Sequence, residues 1–155
     1  MRTLAIDPGT HRSAWVLFED REPFLFGIDS NDEVVAMCDS LSIRNDPDRF
    51  TVVIEKVESF GMAVGAEVFE TVRWAGRFEQ AAQPAPVVRI GRKAVKLALC
   101  GSPRAKDPNI RQAVIDRFGG VAATKKGGVL HGMARDVWAA AAVGLTYLET
   151  KEEAA

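Results

Sequence analysis

The sequence predicts an α/β protein, a mixed sheet with helices packed against it. Two apolar runs rich in strand formers, Leu4-Ala5-Ile6 and Phe50-Thr51-Val52-Val53-Ile54, each stop at a carboxylate, Asp7 and Glu55. Unbroken apolar runs of that length suit strands covered on both faces. Segments with helical apolar spacing stand between and after the strand-like runs, the alternation expected of parallel strands joined through helices. Two parallel neighbours ending alike would bring their carboxylates to one edge of the sheet, where open α/β sheets usually keep their active sites.

The elements follow in order. After Asp7, Pro8-Gly9-Thr10 is turn chemistry, because proline fixes φ and glycine accepts φ > 0. Ser13 to Phe18 is again apolar, so the chain is expected to return as a hairpin, and Phe24 to Ile28 reads as a third strand behind the turn Asp20-Arg21-Glu22-Pro23. A helix is expected from Asn31 to about Leu41, with an Asn or Ser cap and early acids that suit its dipole. The strand at residues 50–54 comes next, with Glu58 as a lesser acid beyond it. A glycine-bearing loop, Ser59 to Gly65, exposes Phe60 and Met62 and leads into a helix over about Ala66 to Ala82, ended by Gln83-Pro84-Ala85-Pro86. Val68, Val72 or Thr71, Ala75, Phe78 and Ala82 form its inward stripe, while Phe69 and Trp74 are candidates for a dimer face.

Val87 to Ile90 reads as a further strand and Arg92 to Leu99 as a short basic helix. Asp107-Pro108 opens another helix, with Asp107 read as its cap, and Gly119-Gly120 stops it. Thr124 to Gly128 reads as a flexible basic loop. The last helix is expected over Met133 to Leu148, with Asp136 near its start. Residues 1–148 are read as one domain and 149–155 as a frayed tail.

Composition narrows the class. With 155 residues, 47% apolar and 26% charged, the chain suits one globular domain. No run approaches the ~20 apolar residues that span a bilayer, and no secretory signal is visible, so a cytoplasmic protein is expected. Cys38 and Cys100 are read as reduced thiols, and with His11 and His131 they make no zinc-like spacing. The net charge of −1 hides an asymmetry: Val87 to Lys126 carries ten basic residues against two acids, +8, and the rest carries −9. A segment so charged creates a local field suited to nucleic acid, and its candidate contacts are Arg92, Lys93, Lys96, Arg104, Lys106, Lys125 and Lys126. A solvated helix face is the competing reading.

Asp7 by itself is as well explained as a turn aspartate. With Glu55 and Asp136 it makes a set of acids with no base beside them in sequence, and such sets suit a hard divalent cation. Magnesium takes oxygen ligands, and two such ions serve phosphodiester cleavage.

Three patterns carry a resemblance to a known family: Ala5-Ile6-Asp7-Pro8-Gly9-Thr10, Val53-Ile54-Glu55-Lys56-Val57 and Arg135-Asp136-Val137-Trp138. With the stretches IEKVESFGMAVGAEVFETVRWAGRF, RKAVKLALCGSPRAKDPNIRQAVIDRFGG and DVWAAAAVGLTY, they resemble the RuvC-type Holliday junction resolvases of the ribonuclease H-like superfamily, small phage-encoded members above all. The resemblance spans about Met1 to Tyr147. It implies a five-stranded mixed sheet, its first three strands antiparallel, flanked by helices. It also implies a homodimeric endonuclease that nicks four-way DNA junctions, with two Mg2+ ions per active site and Mn2+ as a substitute.

Under the resemblance Asp7, Glu55 and Asp136 are the catalytic, metal-binding acids, Lys106 a DNA contact, and Phe60 an aromatic that stacks on a base near the crossover. A fourth ligand is expected one helical turn before Asp136, where Met133 stands. His131 is the nearest substitute, about 140° from Asp136 if both were helical, so it would have to precede the helix. Asp107 is the other candidate. Two further readings stay open: a relative acting on RNA or on other branched DNA, and a non-catalytic nucleic-acid-binding dimer.

Overall fold

The computed structural model describes residues 1–155. Five strands, β1 (Arg2–Asp7), β2 (Arg12–Glu19), β3 (Glu22–Ser30), β4 (Phe50–Lys56) and β5 (Val87–Gly91), form one sheet in the order β3-β2-β1-β4-β5. β1, β2 and β3 are antiparallel neighbours, whereas β4 and β5 run parallel to β1. Helices α1 (Asn31–Arg44), α2 (Ala66–Ala81), α3 (Arg92–Cys100), α4 (Asp107–Arg117) and α5 (Val137–Glu153) complete the chain. The expected mixed sheet with an antiparallel first half is the one observed.

Strand alternation divides the core in two. Leu4, Ile6, Leu17, Val52 and Ile54 face α1 and α2 and pack with Val34, Cys38 and Phe78. Ala5, Val16, Phe18 and Val53 face the other way, onto α5 and the helices beside it. Phe18, Phe50 and Phe78 are fully buried, each stabilising the fold by about 2–3 kcal/mol through removal of apolar surface from water. α5 lies close on the sheet because Gly144 sits over Phe18 and Ala5, where a Cβ would overlap both side chains. Burial pushes the Cys38 thiol up to about 12, so it is an inert core group.

Local signals explain the helix ends. Ser30 caps α1 and forms a capping box with Glu33. Gly101 closes α3 in the left-handed conformation. Four expectations need correction. α5 begins at Val137, not Met133: Met133 is buried in the turns before the helix, and its apolar side chain prolonged the helical pattern without being part of it. Thr124, read as the first residue of the basic loop, is instead the last residue of a 3-10 turn, Val121–Thr124. α5 continues past Leu148 to Glu153, its end held by Arg117 on Glu149 and by Arg21 on Glu149 and Glu152. Finally, the inward stripe of α2 holds toward its C-terminal end, where Phe78 and the cap Ala82 are buried and Ala75 packs against them, while Val72 is exposed and its alternative Thr71 is half-buried. No helix is long and apolar enough to cross a membrane.

Candidate active site

Strand register brings the first two acids together. Ile6 of β1 pairs with Ile54 of the parallel β4, so Asp7 and Glu55 occupy neighbouring places one residue further on. Because side chains alternate along a strand, both carboxylates share the face of Ala5 and Val53, the face that α5 covers. α5 supplies the third acid from its first turn. Asp136 stands immediately before Val137 and makes no side-chain bond to the helix end, which leaves its carboxylate for the cleft. Arg135 before it adopts φ 50°. That left-handed conformation costs a non-glycine residue on the order of 1–3 kcal/mol, and such strain collects at functional sites.

The turn after Asp7 is held by a buried polar circuit. The Gly9 N–H donates to Ser13 Oγ at 3.0 Å, the Ser13 hydroxyl donates to Asn31 Oδ1 at 2.6 Å, and the Asn31 amide returns to the Gly9 carbonyl at 2.9 Å. A Cβ on Gly9 would run into the Arg12 carbonyl oxygen, so the turn closes only with glycine there. Ser13 and Asn31 are both 1% exposed. The Ser13–Asn31 bond is fully buried and the two bonds to Gly9 are partly so, and the paired circuit makes the turn after Asp7 rigid.

A fourth acid reaches the cleft from α4. Asp107 is the first residue of that helix rather than its cap, and its carboxylate accepts a bond from Arg92 Nη2. The same guanidinium lies 3.4 Å from Glu55 Oε1 through Nη1. Arg92 thereby bridges two acids from different elements. On one side of it lies a cavity of about 350 Å³ bounded by Asp7, Glu55, Glu58, Glu67 and Phe60. On the other is one of about 260 Å³ bounded by Asp7, Glu55, Asp107, Asp136, Arg111 and Arg135. Asp7 and Glu55 belong to both.

This concentration of acids shows in their proton affinities. Burial, then the neighbouring Glu55 and Asp136 charges, push the Asp7 carboxyl up to about 8, against a smaller pull downward from Arg92. Burial also raises Glu55, and Arg92 partly offsets it. Two carboxylates that resist ionising beside each other gain from a cation between them. The available donors are all oxygens, which suits magnesium or manganese rather than a soft metal. They do not form a ready-made cage, since no group of three His, Cys, Asp or Glu side chains stands in metal-holding geometry.

The sequence-derived candidates divide as follows. Asp7, Glu55 and Asp136 converge on the cleft, and Phe60, 65% exposed, stands at its mouth. His131 is a correction: it does not border the cleft, and its exposed ring lies 3.3 Å from the Thr124 carbonyl oxygen. It belongs to the turns that precede α5, and those turns direct it away from the acids. Lys93, Arg104, Lys106, Lys125 and Lys126 are exposed and Lys96 is half-buried, on α3 and on loops, and none of them lines the cleft. Arg92 is drawn inside. Sequence reasoning missed Arg111, which lies over the Trp138 ring at 4.8 Å, and Arg135. It also missed Ser13 and Asn31, because nothing local to either shows that they meet.

The sheet order, the crossing of α5 over it and the acidic cleft at the strand ends define a ribonuclease H-like fold. Comparison with solved structures gives the particular form. RuvC from Thermus thermophilus matches with a TM-score of 0.75 at 17% identity, covering 99% of this chain and 97% of that one. A structure of T. thermophilus RuvC in complex with Holliday junction substrate matches with a TM-score of 0.72 at 16% identity, covering 98% and 96%. The chain has the RuvC fold over essentially its whole length. No protein-family model and no curated protein sequence matches it.

Proposed function

We propose that this protein is a metal-dependent endonuclease that resolves four-way or otherwise branched DNA junctions, with two copies making paired nicks. The observation that carries the reading is the convergence of Asp7, Glu55 and Asp136, from β1, β4 and the start of α5, inside a RuvC fold. One of the matching structures holds a Holliday junction, which supports branched DNA as the substrate. A protein that only bound nucleic acid would gain nothing from turning these acids toward phosphates, because like charges repel.

In this reading Asp7, Glu55 and Asp136 hold Mg2+, or Mn2+ in its place, with two ions per site, and Asp107 is the nearest further acid. Bound there, the ions supply the Lewis-acid chemistry of phosphodiester hydrolysis, activating water and stabilising the leaving oxygen. The chain does the rest. The Gly9–Ser13–Asn31 circuit keeps Asp7 at a fixed place against Glu55. Arg111 and Arg135, on the rim of the smaller cavity, offer guanidinium groups to the scissile phosphate. Phe60 projects from its loop where an unpaired base at a crossover would stack. The exposed apolar side chains Met62, Phe69 and Val72, near or on the N-terminal half of α2, form the face we assign to a second copy.

Two experiments test the reading. Cleavage of a synthetic four-way junction is compared with linear duplex and with an RNA–DNA hybrid, in Mg2+ or Mn2+. Junction-selective nicking that stops when the metal is chelated is expected. Preferential cleavage of the hybrid would favour an RNA-directed relative instead, and no cleavage of any substrate would leave a binding module. Neutralising Lys93, Lys96 and Lys106 together is expected to weaken junction binding and to lower the log–log salt slope by roughly 2–3, about 0.9 for each lost phosphate contact. An unchanged slope, measured by gel shift across a salt series, would remove this surface from the DNA interface.

A further inference from the structure

We propose that Arg92 is a built-in counter-cation of the acidic cleft, which holds Glu55 and Asp107 in place when no divalent ion is bound and competes with that ion for them. The inference rests on the metal-dependent reading above. Its basis is the position of one guanidinium. Arg92 opens α3 directly after β5, so its backbone is anchored at the same sheet edge as Glu55. Its side chain is 33% exposed and turns inward, with Nη1 3.4 Å from Glu55 Oε1 and Nη2 bonded to Asp107 Oδ1. With Asp7 and Glu55 it borders both cavities of the cleft.

Charge explains why a cation belongs there. Asp7, Glu55, Asp107 and Asp136 all border the smaller cavity, and Asp7 and Glu55 border the larger one as well. Four acids in so small a space repel one another unless something positive stands among them. A planar guanidinium can serve two carboxylates at once from one side chain, which an ammonium does poorly. It remains monovalent and has no open coordination position, so it can stand in for a divalent ion electrostatically but cannot replace its chemistry.

The same geometry sets the two cations in competition. Glu55 is shared between Arg92 and the proposed metal site, so an ion there meets a carboxylate whose charge the guanidinium already partly balances. The acids stand apart, out of metal-holding geometry, as expected when one of them is engaged elsewhere. Arg92 is then a positioning residue. It lowers the apparent metal affinity and keeps the metal-free cleft from springing apart.

Binding of Mn2+ alone, read by calorimetry or by loss of the free-ion electron-paramagnetic-resonance signal, tests this without reference to cleavage. Arg92→Gln should bind Mn2+ about two- to fivefold more tightly than the parent protein, the equivalent of losing one partly exposed ion pair. Its metal-free melting temperature should fall, and the rise on adding Mn2+ should be larger. Lys93→Gln removes a neighbouring exposed charge that meets none of these acids, and should change the affinity less. If Arg92→Gln fails to fold, Arg92→Lys serves: its ammonium cannot bridge both acids, so tightening by a smaller factor is expected. Affinity for Arg92→Gln equal to or weaker than the parent's, no tightening in Arg92→Lys, or equal tightening in Lys93→Gln would overturn the proposal. Failure of the parent protein to bind Mn2+ would overturn both this proposal and the metal-dependent function.

Discussion

Asp7→Asn will reduce junction cleavage by at least about 10³-fold, a loss of about 4 kcal/mol or more of transition-state stabilisation, while leaving junction binding intact or tighter. The two halves have separate causes. Asp7 borders both cavities and lies beside Glu55 and Asp136, so neutralising it removes one of the two carboxylates common to both sides of the cleft and the one that burial and its neighbours perturb most. Binding does not suffer, because the exposed lysines and arginines lie outside the cleft and one negative charge facing phosphate is gone. Nicking and gel-shift assays on the same four-way junction measure the two effects independently. Normal cleavage by Asp7→Asn would sink the mechanism. Lost binding together with lost cleavage would show that the substitution had damaged the fold.

The second large effect concerns stability without metal. The Asp7 carboxyl is raised from 3.8 to about 8 by burial and by the adjacent acids. Between those two values the folded protein holds a proton that the unfolded chain releases. Stability is therefore lost as pH rises from about 4 through about 8, and below about 4 this group contributes no slope. Arg92 and relaxation of the partly open cleft soften the penalty, so the expected fall is on the order of 2–3 kcal/mol. For a chain of this length that corresponds to a drop of roughly 4–12 °C in melting temperature.

Asp7→Asn removes most of this dependence, and at pH 8 in chelator the variant should melt higher than the parent. Adding Mg2+ should stabilise the parent more at pH 8 than at pH 5, since protons and the metal compete for the same oxygens. Thermal melts over pH 4–9, with chelator and with Mg2+, measure all three differences. A flat profile for the metal-free parent would mean that its acids are solvated rather than buried.

The fold and half the site were legible because their signals are local. Apolar β-branched runs announced β1 and β4, and the acid closing each run stood out because a carboxylate there is costly without a partner. Turn chemistry gave the β1–β2 hairpin, and Ser30, Gly101 and Gly119 marked helix ends that the structure keeps. Of the two candidates for a fourth ligand, Asp107 borders the cleft and His131 does not. Met133 extended the apolar spacing of α5 by one turn; His131 does precede the helix, as its proposed role required, yet it does not border the cleft. In the structure Met133 is a core residue of a turn and His131 faces a carbonyl of the preceding loop.

Asp107 and Arg92 show the limit most clearly. From sequence, the first was read chiefly as a helix cap, with a place as a fourth ligand only as an alternative, and the second was one more member of a basic segment. Both assignments follow composition and neighbours, and neither can register that α3 and α4 start at the same cleft. Arg111 and Arg135, and the Ser13–Asn31 pair behind the turn, are invisible for the same reason.

The sequence by itself determined the strands and helices, the clustering of positive charge, and the two carboxylates at strand ends, because each is written in residues that are neighbours along the chain. Only the tertiary structure decided which acids and which arginine share the cleft, since that depends on parallel register between β1 and β4 and on where α3, α4 and α5 begin over the sheet. A shift of one residue in that register would turn Asp7 or Glu55 to the opposite face, and no local pattern in the chain records which face that is.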